Sequence, residues 1–321
     1  MGRVLAPLFH RAFHLPLCSR KKPSGTVFVS IQRVNVSRAR SCDRGVVLIN
    51  VLVVLALASA VLVGMIRVSD LAIARSGTFQ DAARAEALIA GGEASAVAAL
   101  RRDMIQAPEA DHLAEDWAKV SQDEVAVEGG TFRLTLTDAE ARFNLNSLQG
   151  KGGIGPQILG RIAARIGLSP DAAERIVARV RQDRPLDSLQ DLRGVGLSAE
   201  QIRALAALVT LLPVEAGVNI NTAPDDLIFA LADNPVQARG LVAIRRLKGR
   251  LTPEDLAAVQ LVLLPGIGYA SRLFEVRVTA RMGAVERSGG SLLLRRIGAA
   301  GVPEVVPIRR WRGADGGLPG G

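Results

Sequence analysis

"RGVVLINVLVVLALASAVLVGMIR", residues 44–67, sets 21 uncharged residues, 46–66, between two arginines, and Asn50 is the one amide among them. At 1.5 Å rise per residue such a run makes a helix of roughly 31 Å, the thickness of a bilayer's hydrocarbon core. Residues 1–45 hold nine Lys or Arg against a single acid, Asp43. That bias predicts a cytoplasmic N-terminus and a bulk that lies across the membrane. No small-x-small cleavage signal clearly follows the run, because "ALASA" falls inside it. The segment therefore reads as an anchor more than as an ordinary secretion signal, and the candidate cleavage point lies in front of it.

The formal charge of +9 suggests an anionic partner until it is located. Nine of the 40 basic residues and one of the 31 acids lie in 1–45, so the remainder is nearly balanced, 31 against 30. The cysteines, Cys18 and Cys42, are both in that leader. Beyond residue 45 there is no thiol to gain from an oxidising compartment, so the stability of that part must come from apolar cores.

Beyond the run, Val68, Leu71, Ala72, Phe79, Ala82, Ala83, Leu88, Ile89, Val97, Leu100 and Met104 continue at helical spacing. One helix is predicted from near Val46 to Gln106, stopped by Pro108, with Gly77 and Gly91-Gly92 as points where it would bend or break. In "GGTFRLTLTDAEARFNLNSL", Phe132, Leu134 and Leu136 alternate with polar residues and Phe143 and Leu145 resume the period. This predicts a hairpin turning over 137–140. Strand alternation then lapses until "RLFEVRVTARMGAVERSGGSLLLRRI" and "EVVPIRRW". The expected fold is α+β, a long N-terminal helix packed on an antiparallel sheet, with a large all-α insertion.

The insertion is legible from its caps. Ser169, Ser188 with Asp191, Ser198 with Gln201, Thr222 with Asp225, and Thr252 with Asp255 each sit where an N-cap or capping box opens a short helix. "SLQDLRGVGLSAEQIRAL" and "TPEDLAAVQLVLLPGIGYASRLF" share a capped turn, Asp-Leu and a Gly-x-Gly, a weak internal repeat. Gly194, Gly196, Gly266 and Gly268 are expected to let helices meet in tight turns. "NINTAPDDLIFAL" followed by "LLPGIGYASRL" makes the insertion SAM-like or helix-hairpin-helix-like, which raises the alternative of a membrane-anchored DNA-binding or uptake protein whose hairpin amides hold phosphates. Residues 147–264 carry 14 basic and 12 acidic residues and one aromatic, Phe229. That is poor for counter-ion release and for base stacking, so no nucleic acid is expected.

A basic leader ending in Gly directly before an apolar helix resembles the type IV pilin and pseudopilin class. The order of leader, "DAEARFNLNSL", "VNINTAP", "LLPGIG" and "FEVRVTA" narrows the resemblance to the K-type minor pseudopilins of type II secretion, from Arg44 to Trp311. The resemblance implies prepilin-peptidase cleavage between Gly45 and Val46, which makes Asn50 the mature fifth residue, where most of the class carries Glu. It implies a pilin-like fold: leader 1–45, transmembrane part 46–66, periplasmic helix and first strands 67–146, helical insert 147–270, closing strands 271–312 and a flexible tail 313–321. It also implies a tip subunit that helps to start pseudopilus assembly and supports export of folded proteins across the outer membrane. The implied partners are the other minor pseudopilins, the major pseudopilin, prepilin peptidase and the inner membrane, which the chain would cross once.

An enzyme is not expected. Beyond the leader the one histidine, His112, reads as a surface residue near Pro108, and "GKGGIG" lacks Walker spacing. Asp116, Asp123, Glu124, Asp138 and Glu140 are candidates for a hard cation without calcium-loop spacing, and the expectation for them is a solvated surface. No cofactor is required. Calcium is admitted by the resemblance alone, with no ligands assigned.

Overall fold

The computed structural model describes residues 43–318 apart from 151, 152, 183, 233, 263 and 300. The leader reading over 1–42, with Cys18 and Cys42, lies outside these residues. Helix α1 is Asp43–Gln106. The described residues up to Met65 form one unit and those from Ile66 a second. In the first unit every side chain from Val46 onward is exposed. Among the described residues α1 is the helix long and apolar enough to cross a membrane, with a mean hydropathy of 3.0 in its most apolar stretch.

The second unit holds a five-stranded antiparallel sheet. Its strands are β1 (Gln122–Val127), β2 (Gly130–Asp138), β7 (Leu273–Met282), β8 (Val285–Ile297) and β9 (Pro303–Arg312), in the spatial order β1-β2-β7-β8-β9. Alternation in β2 and β7 turns Leu134, Leu136, Phe274, Val276 and Val278 to one face, where Ala96 and Leu100 of α1 and Trp117 complete the core. Gly92 brings helix and sheet together: a Cβ there would lie 2.6 Å from Val278 Cγ2.

Between β2 and β7 lies the helical insert. In chain order it contains β3 (Phe143–Asn144), α2 (Gly155–Arg165), α3 (Pro170–Gln182), α4 (Ala199–Ala206) and β4 (Val209–Thr210). It continues with β5 (Val218–Asn219), α5 (Asp225–Leu231), α6 (Pro235–Lys248), α7 (Pro253–Ala258) and β6 (Ile267–Gly268). Leu145, Leu159, Ile162, Ile176, Leu192, Leu205, Leu227 and Leu241 are fully buried in a core of its own. The two halves repeat one plan. β3 pairs in parallel with β4 and β5 with β6, and each pair brackets three helices.

Several expectations change. Phe143 and Leu145 do not return along β2; they enter the insert's core, so the insert begins before 147 and the first hairpin is β1-β2. The helix does not break at Gly77 or at Gly91-Gly92. Close packing through Gly92 offsets the lost helix propensity there. The boxes at Ser188, Ser198 and Thr252 form, and Ser169 Oγ accepts from the Ala172 amide at 3.2 Å. Thr222 caps nothing: α5 starts after Pro224 and the Thr222 hydroxyl is used elsewhere. The described part of the tail is packed, with Leu318 buried, its N–H donating to Glu275 Oε1 at 2.8 Å and its carbonyl accepting from Arg277.

Candidate functional site

The two N-x-N sequences open the two halves of the insert, and each asparagine works on the backbone. Asn144 Oδ1 accepts from the Asn146 amide at 3.1 Å, and Asn219 Oδ1 from the Asn221 amide at 2.9 Å. These are Asx turns, which asparagine closes because its side chain mimics a peptide group. The second asparagine then reaches a leucine across the half: Asn146 Oδ1 accepts from the Leu186 amide at 2.9 Å, Asn221 Oδ1 from the Leu251 amide at 2.7 Å. Buried backbone donors are thereby satisfied where the helices give no partner.

Asn219 also joins the insert to the sheet. Its amide nitrogen donates to the Asp111 carbonyl, to Asp138 Oδ2 at 3.0 Å and to Ser271 Oγ at 2.9 Å. Asp138, at the end of β2, accepts on the same oxygen from Thr222 Oγ1 at 2.5 Å and Ser271 Oγ at 2.6 Å, and on the other from the Glu140 amide at 2.8 Å. Neither Asp138 nor Glu140 is a solvated turn residue; both are buried. Burial pushes Asp138 up to about 6, against the pull of its donors, and pushes Glu140 up to about 7, with the Asp138 charge adding to the effect.

The network extends from Asp111 to the end of α1. Arg295 of β8, 6% exposed, donates Nη2 to Asp103 Oδ2 at 2.8 Å and Nη1 to Asp111 Oδ1. Its guanidinium lies 5.0 Å from the centroid of the Phe274 ring, and Trp117 packs edge-on against that ring. Asp111 Oδ2 accepts from the Ser271 amide at 2.6 Å. Glu115 Oε2 accepts from the His112 amide and from Trp117 Nε1, each at 2.8 Å. His112 is not a surface residue: its side chain is 16% exposed and Nε2 lies 3.6 Å from Glu115 Oε1. Burial raises the Asp103 carboxyl to about 7 in spite of Arg295.

Oxygens of Asp103, Asp111 and Glu115 lie within 4.8 Å of one another, a spacing that a metal ion could bridge. The donor set does not fit one. Calcium takes six to eight oxygens, whereas here both Asp111 oxygens, one of Asp103 and one of Glu115 already accept from Arg295, Ser271, His112 and Trp117. Of the acids marked for a cation, Asp116 is exposed and paired with Lys119 at 2.8 Å, and Asp123 is exposed 3.5 Å from Arg133. Glu124 is also exposed, with φ at 46°.

The marked glycines stand apart from this network. Gly196, φ 86°, closes the three-residue-turn helix Leu189–Val195 ahead of α4, and its N–H donates to Arg193 and Leu192 carbonyls. Gly266, φ 85°, and Gly268 do not join two helices; their carbonyls accept from Val218 at 2.8 Å and Ile220 at 2.9 Å as β6 pairs with β5. A strand pair is the opposite of a phosphate-binding hairpin between helices. Sequence reasoning missed Arg295, Asp103 and Ser271. One signal was available: Arg295 follows the core residue Leu293 by two, so the strand period turns it to the same buried face, where a guanidinium needs acids.

The polar chain from Asp103 through Arg295, Asp111 and Asn219 to Asp138 and Thr222 spends its atoms on holding helix end, sheet and insert together. Its chemistry is that of a structural joint.

No protein-family profile matches the chain. Type II secretion system protein K of Pseudomonas aeruginosa is 29% identical over 254 residues, 67% of this chain and 76% of that protein. The protein of the same name from Klebsiella pneumoniae is 28% identical over 250 residues, 64% and 76% of the two chains. Among solved structures, a chain of the GspK-GspI-GspJ complex from the enterotoxigenic Escherichia coli Type 2 Secretion System superposes with a TM-score of 0.58 at 21% identity. That match covers 75% of this chain and all of the other.

Proposed function

Because the chain is a minor pseudopilin of type II secretion, of the K type, we propose that it is the tip subunit of a periplasmic pseudopilus. In this reading it helps to start assembly and so supports the export of folded proteins across the outer membrane. The observation that carries the reading is the state of α1: every side chain in 46–80 is exposed, among them Val68, Leu71, Ile73 and Phe79 beyond the apolar run. Leaving such a surface in water costs roughly 25 cal/mol per Å² of apolar area, so it is made to be covered from outside the chain. Lipid covers 46–66, and helices of other pseudopilins cover the stretch above. The solved relative is in complex with GspI and GspJ, and we take subunits of those kinds, with the major pseudopilin below, as the partners.

The positive leader places the N-terminus in the cytoplasm and the second unit in the periplasm, with the anchor in the inner membrane. Prepilin peptidase then cuts between Gly45 and Val46, and this scaffold role calls for no cofactor. N-terminal sequencing of the membrane-extracted protein tests the assignment: wild type should begin at Val46, and Gly45→Leu should stay uncut. Normal processing of that variant would overturn the cleavage site and the pilin-type entry into the membrane that depends on it.

A further inference from the structure

Three carboxylates, Asp103, Asp111 and Glu115, converge in the second unit with oxygens inside 4.8 Å, the first two buried and the third half-buried. Crowding like charges this closely away from water is costly unless a positive group lies among them. Two of the three acids, Asp103 and Asp111, are paired with a side chain of the fold, Arg295. We propose that Arg295 is a built-in cation for this cluster, that it makes the joint between α1 and the sheet independent of divalent metal, and that removing its guanidinium turns the cluster into a divalent-cation site.

The geometry supports both halves of the statement. Arginine presents parallel donors in a rigid fork, and here one arm takes Asp103 and the other Asp111, so a single group closes the end of α1 onto the loop before Trp117. The guanidinium lies over the Phe274 ring, 5.0 Å from its centroid, a cation–π contact that adds to the two ion pairs. The remaining acid, Glu115, is held by Trp117 Nε1 and the His112 amide, with His112 Nε2 beside it. With Arg295 in place, an ion would have to displace a buried guanidinium. Without it, Asp103 loses the Nη2 donor and Asp111 the Nη1 donor, and oxygens suited to a hard cation face a space the guanidinium has left.

Trp117 supplies the readout. Its indole donates to Glu115, so a terbium ion bound in the cluster would be excited through that ring, and Trp117→Phe separates this signal from Trp311. The experiment uses the full chain in detergent, titrated with terbium and competed with calcium. Wild type is expected to give no Trp117-dependent emission and no loss of Tm on chelation that Trp117 reports. Arg295→Met should gain Trp117-dependent emission that calcium abolishes, together with a Tm that rises with calcium by mass action. Arg295→Lys keeps the positive charge and should remain dark. Calcium-competed, Trp117-dependent emission from wild type or from Arg295→Lys would overturn the proposal. So would an Arg295→Met chain that binds no ion, or one that fails to fold even with calcium.

Discussion

Glu140 is a carboxyl placed where a carboxylate is costly. It is 4% exposed, it accepts from the Arg272 amide at 3.1 Å, and burial followed by the charge of Asp138 raises it to about 7 from an ordinary 4.5. The folded chain therefore binds a proton that the unfolded chain has released between those two values, and stability falls as pH rises through that window. The stabilisation is fully present below about pH 4.5 and is lost above about pH 7, on the order of 3 kcal/mol at most. Glu140→Gln keeps the acceptor and removes the charge. It should match wild type near pH 5, exceed it near pH 8, and flatten the slope between; equal slopes in denaturant titrations of the two proteins would contradict the assignment. None of this was visible in "TDAEAR", which reads as a polar turn, because the groups that hold Asp138 inside, Asn219, Thr222 and Ser271, come from 81 to 133 residues further along the chain. The asparagines of "FNLNSL" and "NINTAP" stood out as motifs, yet their work as Asx turns and backbone clamps depends on Leu186 and Leu251, partners that no local period reveals.

At the scale of elements, local signals were reliable where the cause was local. Ser188, Ser198 and Thr252 close their boxes because the whole device lies within four residues. The continuation of β2 failed for the converse reason: Phe143 and Leu145 keep the strand's period, but their faces are claimed by the insert's core. Helix α1 shows how two adjacent glycines differ. A Cβ on Gly91 would meet nothing within 4 Å, whereas one on Gly92 would press on Val278 and Leu134 at 2.6 and 3.1 Å. Gly91→Ala should therefore be neutral or stabilise by up to about 1 kcal/mol through helix propensity. Gly92→Ala gains the same propensity but forces helix from sheet, and should lower stability by about 1–3 kcal/mol net. Thermal denaturation of the pair decides it: similar Tm values would mean that helix and sheet do not meet through Gly92.

Among the described residues, the first unit is an apolar helix with exposed side chains and the second is a folded unit with cores of its own. In a filament of such subunits each N-terminal amine lies in lipid, where an unpaired charge costs about 3 kcal/mol or more. The class to which the leader and helix are similar meets that amine with a Glu at the fifth position of the subunit joining below. This chain carries Asn50 there. An amide cannot supply a full counter-charge, so the subunit fits poorly beneath another but loses nothing at the top, where no amine lies above it and its own can still be met from below. On the proposed reading the protein is then confined to about one copy per filament, at the end, because each shaft position would repeat the same cost. Asn50→Glu should relax the restriction and allow incorporation along the shaft. It should leave the Tm of the second unit unchanged, since residue 50 belongs to the first. Immunogold labelling of sheared filaments reads the outcome directly: gold at one end for wild type and along the length for the variant is expected, and wild-type label spread along the shaft would remove Asn50 as the determinant of position.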